Sequence, residues 1–136
     1  MLLIDKMSSR PVYEQIVEGM ERSILLGIYP PGSVLPSLRE LSVMLSINPN
    51  TIQKSYGELT RRGVICASPG SGYYVAANAM EVLKTRAEEK LSLIYNIAAE
   101  LRMAGVPKGD LLATVARAYA KDVSQAQPSD EGGSPT

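Results

Sequence analysis

The stretch Ser46–Ser55, SINPNTIQKS, sets a proline between two asparagines just where a new apolar period begins. Pro49 suits the first helical position, because its missing N–H leaves no bond unmade there. Asn48 suits the cap before it, since its side-chain oxygen accepts from an N–H that the helix cannot satisfy itself. The pattern predicts a sharp helix start. Ile52, Tyr56 and Leu59 then recur at core spacing, and the helix ends near Gly63. Capping does not account for the rest of the first turn. Asn50, Thr51, Gln53 and Lys54 fill it with amides, a hydroxyl and an ammonium.

Just upstream, SLRELSVML (Ser37–Leu45) places Ser37 and Glu40 in capping-box spacing, and Leu38, Leu41 and Leu45 form its apolar face. A short turn, Ser46-Ile47-Asn48, joins this helix to the next. Further upstream, RPVYEQIVEGMERSILLG (Arg10–Gly27) carries Tyr13, Ile16, Val17, Met20 and Ile24 on one helical face. The connector IYPPGSVLP is too rich in proline and glycine to be helical. Downstream, VICASPGSGYYV (Val64–Val75) has two β-branched and aromatic runs around a Pro-Gly-Ser-Gly turn, a hairpin signal.

Three helices and a two-stranded ribbon are the order of a winged helix-turn-helix, whose second motif helix enters the DNA major groove. That order supplies a reason for the polar first turn after Asn48. Asn and Gln pair bidentately with adenine, Lys takes guanine or phosphate, and Thr contacts a thymine methyl or phosphate. A helix N-terminus also favours an anion through its unbonded N–H groups.

Beyond Asn78 the composition shifts. Ala79–Met103 reads as one long helix with a stripe of Leu83, Ala87, Leu91, Ile94, Ile97, Ala98 and Leu101, stopped by Gly105 and Pro107. DLLATVARAYAKDV (Asp110–Val123) reads as a shorter amphipathic helix with Leu111, Leu112, Val115, Tyr119 and Val123. The end, from Ser124, is polar, without apolar period, and is expected to be a disordered tail. The expected division is therefore a DNA-binding domain at 1–78, a helical dimerisation segment at 79–123 and a tail at 124–136. The fold class is mainly α with a small β-hairpin.

Two such helices cannot bury their stripes on each other alone, and marginal helices gain most of their stability from tertiary packing. A homodimer is expected, with Leu83, Ala87, Leu91, Ile94, Ile97, Leu101, Leu112, Val115 and Tyr119 at its seam.

Composition narrows the function classes. The 136 residues are 45% hydrophobic and 21% charged, as in an ordinary globular chain. Net charge is zero, so a polyanion site must come from local placement of charge. Cys66 is the single cysteine and histidine is absent, which excludes an intramolecular disulfide and a Cys/His zinc cluster. No cofactor or metal is expected. The opening MLLIDKMSSR is too short an apolar run for a signal peptide, and nothing approaches the about 18 apolar residues of a membrane span. A cytoplasmic location is expected. With no histidine, no nucleophile at recognisable spacing from a base and no phosphate-cradling loop, the pattern argues against an enzyme.

At the level of residues, PVYEQI, then PPG..LPS.REL, then N.NT..K.Y..L...G.I and a G.GYYV wing together resemble the N-terminal domain of GntR-type bacterial transcription regulators. The resemblance covers about Arg10 to Val75. The two-helix remainder resembles the YtrA-like subfamily, whose short C-terminal segment dimerises in place of a large ligand-binding domain. It implies a regulator, expected to be a repressor, that binds a palindromic duplex as a homodimer. It assigns DNA contacts to Ser37 and Arg39, to Asn48, Asn50, Thr51, Gln53 and Lys54, and to Gly70, Ser71 and Gly72 of the wing. This chain departs from the family pattern in lacking arginine near Pro49 and Gln53 and any positive charge on the wing. A winged-helix protein–protein module stays open as the alternative, and the residues argue for no small-molecule effector. By simpler readings, Arg61 and Arg62 are solvated helix-end charges, Cys66 is a small buried hydrophobe, and Tyr73 and Tyr74 point one inward and one outward.

Overall fold

The computed structural model describes residues 2–121. Its elements run α1 (Val12–Leu25), α2 (Leu38–Leu45), α3 (Pro49–Arg61), β1 (Ile65–Ser68), β2 (Gly72–Val75), α4 (Ala79–Met103) and α5 (Lys108–Ala120). The chain divides into two compact units, Met1–Arg86 and Ala87–Thr136. The tail expected at 124–136 lies outside the described residues.

The first unit is built on α1, α2 and α3. Their inward faces supply Ile16, Val17, Met20, Ile24, Leu41, Ile52, Tyr56 and Leu59, all at most 1% exposed. Each such side chain contributes on the order of 1.5–3 kcal/mol relative to exposure. The capping box at α2 is complete: Glu40 N–H donates to Ser37 Oγ at 3.0 Å, and Ser37 N–H donates to Glu40 Oε1 at 2.8 Å. Helix α2 stops at Ser46, whose φ of 56° and ψ of 48° lie in the left-handed region. A non-glycine residue there is uncommon, and the bond from Ser42 Oγ to the Ile47 carbonyl at 2.6 Å helps to hold it. The chain turns into α3 at once, with Asn48 Oδ1 accepting from Asn50 N–H at 2.7 Å and Pro49 in the first turn.

Strands β1 and β2 pair antiparallel with Ile65 opposite Val75 and Ser68 opposite Gly72. Their turn is closed by Ser71 N–H donating to the Ser68 carbonyl at 2.8 Å, and Gly72 takes a φ of 87° that a side chain would resist. The proline-rich connector is more than a spacer. Leu35 N–H donates to the Tyr73 carbonyl, Val75 N–H to the Ser33 carbonyl and Gly32 N–H to the Val75 carbonyl, each at 2.9 Å. It thus lies along the outer side of β2 and buries Leu35 beneath it.

After β2 the chain re-enters the core before α4 begins. Ala76, Ala79 and Leu83 are buried with the residues of α1 and α3 in one cluster. Leu83 corrects the expected seam: at 5% exposure it is already packed inside the first unit. Helix α4 therefore serves the first unit with its opening turns and the second with the remainder. In the second unit, Leu91 (69% exposed), Ile94 (50%) and Tyr119 (88%) stand open, as do Ala87, Ile97, Leu112 and Val115. Leu101 is half-buried. Leu93 and Tyr95 are exposed too, so the apolar surface of α4 is broader than a single stripe.

Candidate nucleic-acid interface

Helix α3 has two unlike faces. Ile52, Ser55, Tyr56 and Leu59 are fully buried, whereas Asn50, Gln53 and Lys54 are exposed. The last three share one side of the helix, being three and four residues apart. Thr51 is half-buried between the faces. The amides and the ammonium are thus held out by a helix whose other side is locked into the core.

Arg39 is exposed on the first turn of α2 and makes no ion pair among the described residues. Its backbone is fixed by the capping box. A second tie comes from α3, where the Tyr56 hydroxyl donates to the Pro36 carbonyl at 2.8 Å. The Tyr56 ring meets that of Tyr73 edge to face with centroids 4.8 Å apart, which links α3 to the wing strand as well. Burial, aided by Tyr29, Glu40 and Tyr73, holds the Tyr56 phenol far above its ordinary range, so it stays a donor. Both wing tyrosines are half-buried, and of the two Tyr73 is the one packed against the core, as the strand alternation leads one to expect. Cys66 is likewise half-buried, packed against the core from β1.

Lys54 is not a loose cation. Its ammonium lies 3.9 Å from the centroid of the Tyr13 ring on α1, a cation–π contact. The next residue, Ser55, donates its hydroxyl to the Tyr13 carbonyl at 3.1 Å. The start of α1 therefore braces the exposed polar part of α3. Sequence periodicity placed Tyr13 on the core face and gave no sign of this role, which depends on the crossing of two helices.

The far end of α3 is held by charge. Glu58 accepts from Arg61 at 2.6 Å and from Arg62 at 2.8 Å, and Arg62 reaches Glu21 of α1 at 3.1 Å. Arg62 is thus a half-buried link between helices, which corrects its reading as a solvated helix-end charge. Hydrogen bonds from Arg61 and then Arg62 lower the Glu58 carboxyl to about 2.

Gly70, Ser71 and Gly72 form an exposed tip, with both glycines at positive φ. The tip carries no charge and presents only backbone groups and one hydroxyl. Ser37 Oγ and Asn48 Oδ1 are both engaged as helix caps. These two residues fix where α2 and α3 begin, whatever else they touch. The described residues include no helix long and apolar enough to cross a membrane.

A tight turn between two packed helices, a second helix presenting a polar face, and a hairpin beside it define a winged helix-turn-helix DNA-binding module. Over residues 12–75 the chain matches the bacterial regulatory proteins of the gntR family. It belongs to that family and is a DNA-binding transcription regulator. The HTH-type transcriptional repressor YtrA of Bacillus subtilis (strain 168) is 45% identical over 94 residues, covering 69% of this chain and 70% of the relative. A GntR family transcriptional regulator from Listeria monocytogenes has a similar structure, with TM-score 0.67, 32% identity and coverage of 84% of this chain and 98% of that one. The crystal structure of AraR(DBD) in complex with operator ORX1 is similar at TM-score 0.50 and 28% identity, covering 55% of this chain and 93% of that one.

Proposed function

We propose that this chain is a transcriptional repressor that binds an inverted repeat of duplex DNA as a homodimer and reads each half-site with the first turn of α3. The observation that carries the reading is the exposed set Asn50, Gln53 and Lys54 on a helix whose opposite side is fully buried. Such a helix delivers amides to base edges and a cation to the backbone beside them without moving its own core. Arg39, mounted on the capped start of α2, supplies a backbone contact beside it. The name of the YtrA relative supports repression, and an operator complex of a related DNA-binding domain supports duplex DNA as the partner.

The homodimer is supported by the apolar surface of the second unit. Leu91, Ile94 and Leu112 are each at least half exposed, and isolated helices of this kind need a packing partner. A two-fold dimer sets two copies of α3 against half-sites spaced about one helical turn, roughly 34 Å, or a multiple of it. Selection from a random duplex pool tests the reading. The expected product is a two-fold symmetric sequence bound at a ratio of two chains per duplex. An asymmetric site bound by one chain, or no enrichment at all, would contradict it.

A further inference from the structure

The residues before α1 have no part in the interface described so far, yet they are closely held. Leu2 is buried against Gly19, where an added Cβ would come within 2.3 Å of Leu2 Cδ2. Asp5 N–H donates to Gln15 Oε1 at 2.8 Å, and Gln15 Nε2 donates to the Asp5 carbonyl at 2.9 Å and the Arg10 carbonyl at 3.0 Å. The Asp5 carboxylate accepts from Met7 N–H at 2.9 Å and makes no ion pair with its neighbour Lys6. So mounted, the arm carries Lys6 across to the turn between α2 and α3. There its ammonium donates to the Ser46 carbonyl at 3.0 Å, from 40 residues away in sequence. Ser46 lies two residues before the Asn48 cap, so this cation stands at the entrance of α3.

Phosphate contacts need cations that no carboxylate has neutralised. Arg10 is paired with Glu14 and Glu18, while Arg61 and Arg62 are paired with Glu58 and Glu21. Arg22 is half-buried near the end of α1, and the wing tip is uncharged. Among residues 2–77, the exposed cations without an ion pair are then Lys6, Arg39 and Lys54. Lys6 spends one of three donors on a neutral carbonyl, which leaves its charge and two N–H groups facing outward.

We propose that the arm before α1 is part of the DNA interface and that Lys6 is its phosphate ligand. In the free protein it rests on the Ser46 carbonyl; in the complex it neutralises a phosphate beside the start of α3. The inference rests on the operator-binding reading above and adds a contact to it. A phosphate ligand releases counterions and acts on every sequence alike.

The test measures binding across salt concentration for the full chain, Lys6→Gln and Lys6→Arg, on the selected duplex and an unrelated one. Lys6→Gln is expected to weaken both duplexes by the same factor. Its plot of log K against log salt should be shallower by about 0.9 for each protomer bound. Lys6→Arg is expected to keep the original slope. An unchanged slope in Lys6→Gln would overturn the proposal even if affinity fell, because a mere strut for the Ser46 carbonyl releases no counterions. Modification of the unaltered chain by an amine-reactive ester gives a readout free of folding effects: bound duplex should protect Lys6, and equal reactivity with and without duplex would also overturn it. A chain that binds no duplex at any salt would remove the operator-binding reading itself, and the Lys6 contact with it.

Discussion

The hydroxyl of Tyr56, buried in α3, donates to the carbonyl of Pro36 at 2.8 Å, one residue before the serine that caps α2. This bond couples the helix that presents Asn50, Gln53 and Lys54 to the helix that carries Arg39. Tyr56→Phe keeps the ring and its contact with Tyr73 but leaves the carbonyl unpaired. The expected cost is about 1 kcal/mol in urea unfolding at neutral pH. The sign of the pH effect follows from the raised phenol pKa. Stability from the protonated phenol is fully present below the ordinary value of 10.0 and is lost as pH rises beyond it. Phenylalanine cannot ionise. The gap between the two proteins should therefore narrow above that pH.

Glu58 gives the opposite sign. Its carboxyl falls from an ordinary 4.5 to about 2 through hydrogen bonds from Arg61 and Arg62. The stability it contributes is present above pH 4.5 and is lost as pH falls toward 2. Glu58→Gln is expected to lower the melting temperature at pH 7 and to match the original chain near pH 2. Parallel melting curves at all pH values would show that the Arg61–Glu58–Arg62 link does not stabilise the fold.

Asn50 and Gln53 project from the same side of α3 and meet no core residue's demand for packing. Truncating either to alanine should leave the melting temperature nearly unchanged. Each should relax preference at one base position per half-site, by about 1–3 kcal/mol, in a competition assay over single-base variants of the selected duplex. A uniform loss over all variants would instead assign the side chain to phosphate.

Leu91 and Ile94 are open apolar residues on the second unit. A Leu91→Asp/Ile94→Asp chain is expected to sediment as a monomer at micromolar concentration while its first unit stays folded. Operator affinity should fall about 100-fold or more, because the second half-site no longer binds intramolecularly. An unchanged sedimenting mass would move the seam elsewhere.

Much of the fold was legible where a signal is local. The Ser37–Glu40 capping box, the Asn48-Pro49 helix start and the 3.6-residue spacing of Ile52, Tyr56 and Leu59 each act within a few residues, and each is realised in the structure. Exposure of Asn50, Gln53 and Lys54 followed from the same period. What was hidden depends on residues far apart in sequence. The connector Gly32–Leu35 became a partner of β2 only because the strand left an edge open beside it. Arg62 became a link between helices because Glu21 lies across from it on α1. Leu83 fell on the apolar stripe of a long helix, and no periodicity marks where that helix leaves one core. The cation–π contact of Lys54 with Tyr13 and the reach of Lys6 to Ser46 likewise arise from packing alone.

We propose that Arg39 and Lys54, the one fixed by a capped helix start and the other braced on Tyr13, each make a backbone contact in the operator complex. The most direct measurement is duplex affinity across salt for an Arg39→Ala/Lys54→Ala chain shown to be folded and dimeric. Four contacts are removed from a dimer, so the slope of log K against log salt should become shallower by about 3.6, with a large loss of affinity at low salt. Binding of the selected duplex with unchanged affinity and slope would contradict the account.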